Sequence, residues 1–217
     1  MNHAFQFRDA QERARITAWS QQVRDVQSRW YLFDQVLYDL CRKYPRHNNE
    51  HEVVAKLALI GRGYSAAVER RKNAAETPGD FYYDYVAPVI VSSGLDARLD
   101  ALRKYRTPTA ENLPEILSVH YYLQTLLRQC TAMEKRSLAS KYLHFHCPNL
   151  FYIFDAFSKD MLGRIVRFSG RWEIPADADA EYAGYCLRSL FVQEQVSPDE
   201  ENFPRILDAY LQTVSRA

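Results

Sequence analysis

The chain predicts an all-α fold, and three observations carry that expectation. Apolar residues recur at three- and four-residue steps over most of its length. Only 7 of the 217 residues are glycine, too few for a chain built of tight hairpins and phosphate loops. Proline and short polar clusters interrupt the periodic stretches at helical intervals, and the chain lacks a succession of alternating strands.

From about Arg8 to Tyr44, Ile16, Trp19, Val23, Val26 and Trp30, then Phe33, Val36, Leu37 and Leu40, keep the helical step until Pro45 and the polar run Arg46-His47-Asn48-Asn49. A second helix is expected from about His51 to Asn73, turning Val54, Leu57, Ala58 and Val68 inward, with a turn at Thr77-Pro78-Gly79. Phe81 to Val91 reads as helix, with a short extended piece at Val89-Ile90-Val91 as the alternative. Leu95 to Tyr105 is amphipathic and stops before Thr107-Pro108-Thr109, and Asn112 to Ala132 is a long helix. Residues 155–169, 177–195 and 199–215 supply three more, broken by Gly170, Pro175 and Pro198. The whole is roughly ten helices, with no internal repeat or low-complexity linker.

A chain of this length buries a substantial core without disulfides. The 28 basic residues against 27 acidic ones exclude a globally basic nucleic-acid binder and leave only local patches. One such patch runs from Glu134 to Glu173, with 7 basic and 4 acidic residues, whereas from Ile174 onward 8 acidic residues face 3 basic. Cys41, Cys130, Cys147 and Cys186 have no C-x-x-C spacing, so neither a zinc ribbon nor a four-cysteine cluster is indicated. Four free thiols, no signal-peptide core and no membrane-length apolar run give the expectation of a soluble cytoplasmic protein.

The stretch Lys135 to Asp155, Lys-Arg-Ser-Leu-Ala-Ser-Lys-Tyr-Leu-His-Phe-His-Cys-Pro-Asn-Leu-Phe-Tyr-Ile-Phe-Asp, is the most informative. It reads as a short amphipathic helix, a stop at Cys147-Pro148, a compact apolar link, and an aspartate opening the next helix. This layout resembles the helix-hairpin-helix DNA glycosylases. Arg136, Ser137, Ala139, Leu143, Phe151, Ile153 and Asp155 fall where the adenine-glycosylase branch carries the same residue types. The spacing from Ser137 to Asp155 is also the family's spacing between its lysine-or-serine position and its aspartate. The likeness covers about forty residues well and the rest of the chain only loosely, with the hairpin and catalytic segment at about 112–170. It implies one two-lobed helical domain over 1–217, which binds DNA across the interlobe cleft and extrudes a nucleotide. A loosely defined oxoguanine-glycosylase-like prokaryotic group is the nearest branch. Neither a cofactor nor a membrane is implied.

On that resemblance Asp155 is the catalytic carboxylate. Cutting an N-glycosidic bond develops positive charge on the sugar, which an ionised carboxylate at a helix N-terminus stabilises. Asp is equally a preferred N-cap with no chemistry, and the two roles can coexist. Ser137 stands where bifunctional members carry a lysine that forms a Schiff base, so a monofunctional enzyme is implied. Lys141, one turn further on, is a possible auxiliary group that leaves strand-cleaving activity open. His144 is the second auxiliary candidate, against the alternative of a satisfied core histidine. His144, His146 and Cys147 together make a poor metal set, because His146 points away and no fourth ligand is near, so no metal is expected.

Arg62, Tyr64 and Glu69 are candidates for the base pocket, because in the oxoguanine branch an early helix ending in Val-Glu-Arg lines the cleft. Lys135, Arg136, Arg70, Arg71 and Arg164 are the expected DNA contacts. The hairpin departs from the family: Met133 and Lys135 stand where members usually have glycines whose N–H groups approach a phosphate. Tyr82, Tyr83, Tyr85 and Trp172 could stack an unpaired base, with core packing as the alternative. Gly61, Gly63 and Ala66 imitate a dinucleotide fingerprint, which needs a preceding strand and further βαβ units. A DNA-binding protein that has lost catalysis is the other alternative class. The substrate base is open: a damaged purine in repair, or a modified viral base in antiviral defence.

Overall fold

Helix dominates, as the periodicity predicts. The structure, a computed structural model, describes residues 5–23, 31–69 and 79–214. In chain order these form β1 (Phe5–Phe7), α1 (Glu12–Val23), α2 (Tyr31–Lys43) and α3 (Glu50–Gly63). A π-helical turn (Tyr82–Val86) runs into α4 (Ala87–Val91), followed by α5 (Leu95–Leu102), α6 (Leu113–Thr131) and α7 (Arg136–His146). The chain continues through α8 (Ala156–Ile165), β2 (Val166–Phe168), α9 (Ala180–Val196) and α10 (Phe203–Val214). Among the described residues no helix is long and apolar enough to cross a membrane.

Local chemistry sets the boundaries. Asn49 caps α3 by accepting from the N–H groups of His51 and Glu52, and Asp179 caps α9 by accepting from that of Tyr182. α3 stops at Gly63, ten residues short of the expected Asn73. Ser65 takes a left-handed φ of 54°, and the Ala66 N–H closes back on the Gly61 carbonyl at 2.6 Å. Gly63 has a packing reason, since a Cβ there would collide with the Phe33 ring. Gly61 and Gly63 therefore lie inside a helix. Among the described residues no strand leads directly into them and no parallel sheet exists, so the βαβ setting of a dinucleotide fingerprint is missing. Val89-Ile90-Val91 is helical rather than extended. The π turn before it follows from Pro88, which has no N–H to bond four residues back, and the Ala87 N–H reaches five residues back to Tyr82.

Three expectations need correction. Residues 166–168 form a strand instead of ending a helix: β2 pairs antiparallel with β1, Phe5 opposite Phe168. Val166 and Phe168 alternate with exposed Arg167, and the Phe5 ring stacks on Phe168 at 4.5 Å. α2 presents a different face inward, burying Asp34, Leu37 and Cys41 while Val36 is 51% exposed. The expected helices also overran the actual ends, because periodicity alone does not register a cap.

Two apolar clusters organise the molecule. The first gathers residues of α2 to α7, including Leu37, Leu57, Ile90, Leu99 and Leu143. The second joins β1 and α1 to α8, α9 and α10 through Phe5, Ile16, Leu162, Phe191 and Leu207. α6 serves both, giving Ile116, Leu123 and Leu127 to the first and Leu113 and Leu117 to the second. The link after α7 also crosses between them: Leu150 and Phe151 pack in the first cluster, Tyr152 and Phe154 in the second.

Candidate functional site

Where that link emerges into the second cluster stands Asp155. An extended buried segment has backbone groups that no ladder satisfies, so side chains must do it. The Phe151 carbonyl accepts from His144 Nδ1 at 3.0 Å, that of Tyr152 from the Tyr182 hydroxyl at 3.0 Å, and that of Ile153 from the Tyr185 hydroxyl at 2.8 Å. The Phe154 N–H donates to Ser140 Oγ at 3.0 Å. Held on both sides, the link delivers Asp155 in extended conformation (φ −149°, ψ 172°) as the N-cap of α8, its Oδ1 accepting from the Ser158 N–H at 2.7 Å.

The other carboxylate oxygen faces an amine. Lys141 Nζ lies 3.4 Å from Asp155 Oδ2 and donates to Ser137 Oγ at 3.0 Å. The Lys141 side chain is only 4% exposed, whereas that of Asp155 keeps 29% of its surface open. Ser137 and Lys141 sit one turn apart on α7, which is why the sequence placed them on one face. The Tyr64 ring lies 5.7 Å from the Lys141 ammonium, close enough for a cation–π contact.

Behind this pair lies a buried ion cluster that sequence reading missed. Arg205 of α10 donates to Asp34 of α2 at 2.7 Å and to Asp208 at 2.6 Å, and the Tyr64 hydroxyl donates to Asp34. Burial opposes the charge on Arg205, but Tyr64, Asp208 and Asp34 outweigh it and raise the guanidinium above its ordinary pKa. Asp34 joins the first cluster to the second through this arginine. It sits three and seven residues before Leu37 and Cys41, so a carboxylate on the buried stripe of α2 was the signal available.

The predicted residues divide accordingly. Asp155, Ser137, Lys141 and Tyr64 are brought together. His144 is close in sequence but fully committed: its second ring nitrogen meets the Tyr38 hydroxyl at 2.7 Å, and burial pushes its pKa down to about 3. Arg62 and Glu69 pair with each other at 3.3 Å, and Glu69 also accepts from the Tyr82 hydroxyl. Arg136 is spoken for by Asp179 at 2.6 Å and Glu181 at 2.9 Å, Arg164 by Asp160 at 2.8 Å. Lys135 is half-buried at the head of α7. Arg70 and Arg71 lie outside the described residues.

Tyr83 meets His51, while Tyr85 and Trp172 pack against the first and second clusters respectively. The α6–α7 turn is built without glycine, Ala132 taking the left-handed position at φ 54°. No group of three or more His, Cys, Asp or Glu suited to a metal occurs among the described residues. A groove of about 830 Å³ opens at the opposite end of α7, beside His146, Cys147 and Arg103, and does not include Asp155.

The chemical capacity of the Asp155 site is specific. A carboxylate anchored by a backbone N–H and an ammonium, yet open to solvent, can stabilise a cation approaching its free face. Comparison of the chain with protein-family models, with curated proteins and with solved structures finds no match.

Proposed function

We propose that this chain is a DNA N-glycosylase of the helix-hairpin-helix kind, two-lobed, which extrudes a damaged or modified nucleotide and hydrolyses its glycosidic bond. The observation that carries this reading is Asp155: rigidly presented at the start of α8, partly exposed, and flanked by the buried Lys141 amine. Its carboxylate faces the sugar as the base departs and orients the attacking water. Ser137, with no amine of its own, leaves the product an abasic site. Incubating the protein with DNAs carrying modified bases, phage DNAs included, and scoring released free base by mass spectrometry tests this. Release from one substrate class supports the reading, and phage-specific release assigns it to antiviral defence.

One observation favours a second reading. Lys141 brings an amine to the place where Ser137 lacks one, 3.4 Å from Asp155. Once Asp155 takes its proton, that amine can displace the base at C1′, the C1′–O4′ bond opens to give an imine, and loss of a C2′ proton expels the 3′ phosphate and cuts the strand. Borohydride then traps the protein on abasic DNA, and Lys141→Met abolishes the trapping. The inactive DNA-binding alternative draws on the hairpin, whose turn has no glycine. It predicts binding with no base release from any DNA.

A further inference from the structure

Asp208 is a buried carboxylate that no step above uses. It sits mid-α10 at 4% exposure, its Oδ2 accepting from Arg205 at 2.6 Å. Its Oδ1 lies 3.5 Å from Ser158 Oγ, which also accepts from Gln212 Nε2 at 3.2 Å. The backbone N–H of the same Ser158 donates to Asp155 Oδ1 at 2.7 Å. One residue in the first turn of α8 therefore touches both carboxylates.

Charge counting gives this contact a consequence. The groups facing Asp208 are Asp34 and Tyr38 from α2, Tyr64 after α3, Lys141 from α7, Asp155 heading α8, Tyr185 from α9 and Arg205 on its own helix. Burial raises all three tyrosines, so they stay neutral. Lys141 and Arg205 then stand against Asp34, Asp155 and Asp208. With Asp208 protonated the cluster is neutral, and with Asp208 ionised it carries one net negative charge in a poorly screened interior.

We infer that Asp208 is a positioning residue for Asp155: through Ser158 it fixes the head of α8, and its ionisation sets the charge of the buried cluster that a departing base would leave facing a cationic sugar. The charge switch falls at a useful place. Burial pushes the Asp208 pKa up to about 6, with Asp155 and Asp34 adding to the rise while Arg205 and Lys141 oppose it. Only the catalytic consequence rests on the glycosylase reading; the coupling between the two carboxylates does not.

Carbon-13 titration of the aspartate carboxyls in the whole protein tests it. In the wild type the Asp155 signal shifts as Asp208 ionises near pH 6. Asp208→Asn removes that shift, and Ser158→Ala, which deletes the hydroxyl but keeps the N–H, reduces it, so the test survives if the first variant fails to fold. Where base release is measurable, the wild-type rate falls about tenfold for each pH unit below 6, and Asp208→Asn flattens that limb. An Asp155 signal that does not move near pH 6 in the wild type, or that moves equally in the wild type and both variants, overturns the inference. Coupling seen by titration with no base released at any pH upholds the inference and removes the glycosylase reading instead.

Discussion

Asp155 carries two jobs in one side chain, and they separate by substitution. Its Oδ1 caps α8 and its Oδ2 meets Lys141. Both Asn and Ala remove the charge that faces Lys141, but Asn keeps the capping oxygen whereas Ala loses it, so Asp155→Ala is expected to be less stable than Asp155→Asn by about 1 kcal/mol. Thermal unfolding of the two variants side by side measures the difference. Asp155, Ser137 and Lys141 were legible from sequence because they belong to one continuous stretch, where a helix period and a stop signal fix their relative placement. Asp34, Arg205 and Asp208 were not, because α2 and α10 lie far apart in the chain and only the tertiary fold brings them to one point. Arg136 misled for the opposite reason. Its charge is visible in sequence, but the Asp179 and Glu181 that neutralise it arrive from α9.

At the scale of elements, the link over 151–154 shows how an apolar run can be neither helix nor strand. His144, Ser140, Tyr182 and Tyr185 satisfy it from two helices, a use of tyrosine that composition hinted at without locating. The α7–link–α8 order was readable because Cys147-Pro148 and Asp155 are strong stop and start signals. The β1–β2 pair was not, since each strand spans three residues and their pairing joins segments far apart in the chain. The α6–α7 turn offers a direct test of the missing glycine. Ala132 sits at φ 54°, where a Cβ is unfavourable. Ala132→Gly should therefore stabilise the protein by about 0.5–1 kcal/mol, read as a raised denaturation midpoint with unchanged slope.

The whole molecule is two apolar clusters joined by α6, by the link and by the Asp34–Arg205 ion pair, with Asp155 at their seam. Its interior holds histidines neutral. Burial pushes His47 and His120 down to about 4 and His144 to about 3, from an ordinary 6.5. A depressed histidine favours the fold fully above pH 6.5 and loses that contribution as pH falls through about 4, because the unfolded chain takes up the proton first. Asp208, raised to about 6, works in the opposite sense but is one group against four, since burial pushes His146 well down too. Stability should thus fall steeply from pH 6.5 to pH 4. His120→Gln, which can still donate to the Arg136 carbonyl, should lose less over that range, by on the order of 2 kcal/mol, as calorimetry at the two pH values would report. The most direct measurement for the account as a whole compares wild type with Asp155→Asn on DNA carrying whichever base the wild type releases, counting alkali-sensitive abasic sites. The account predicts sites with the wild type and a loss of a hundredfold or more, on the order expected for removing a transition-state charge, in a variant that remains folded. Undiminished sites with Asp155→Asn, or none with the wild type on any modified DNA, would contradict it.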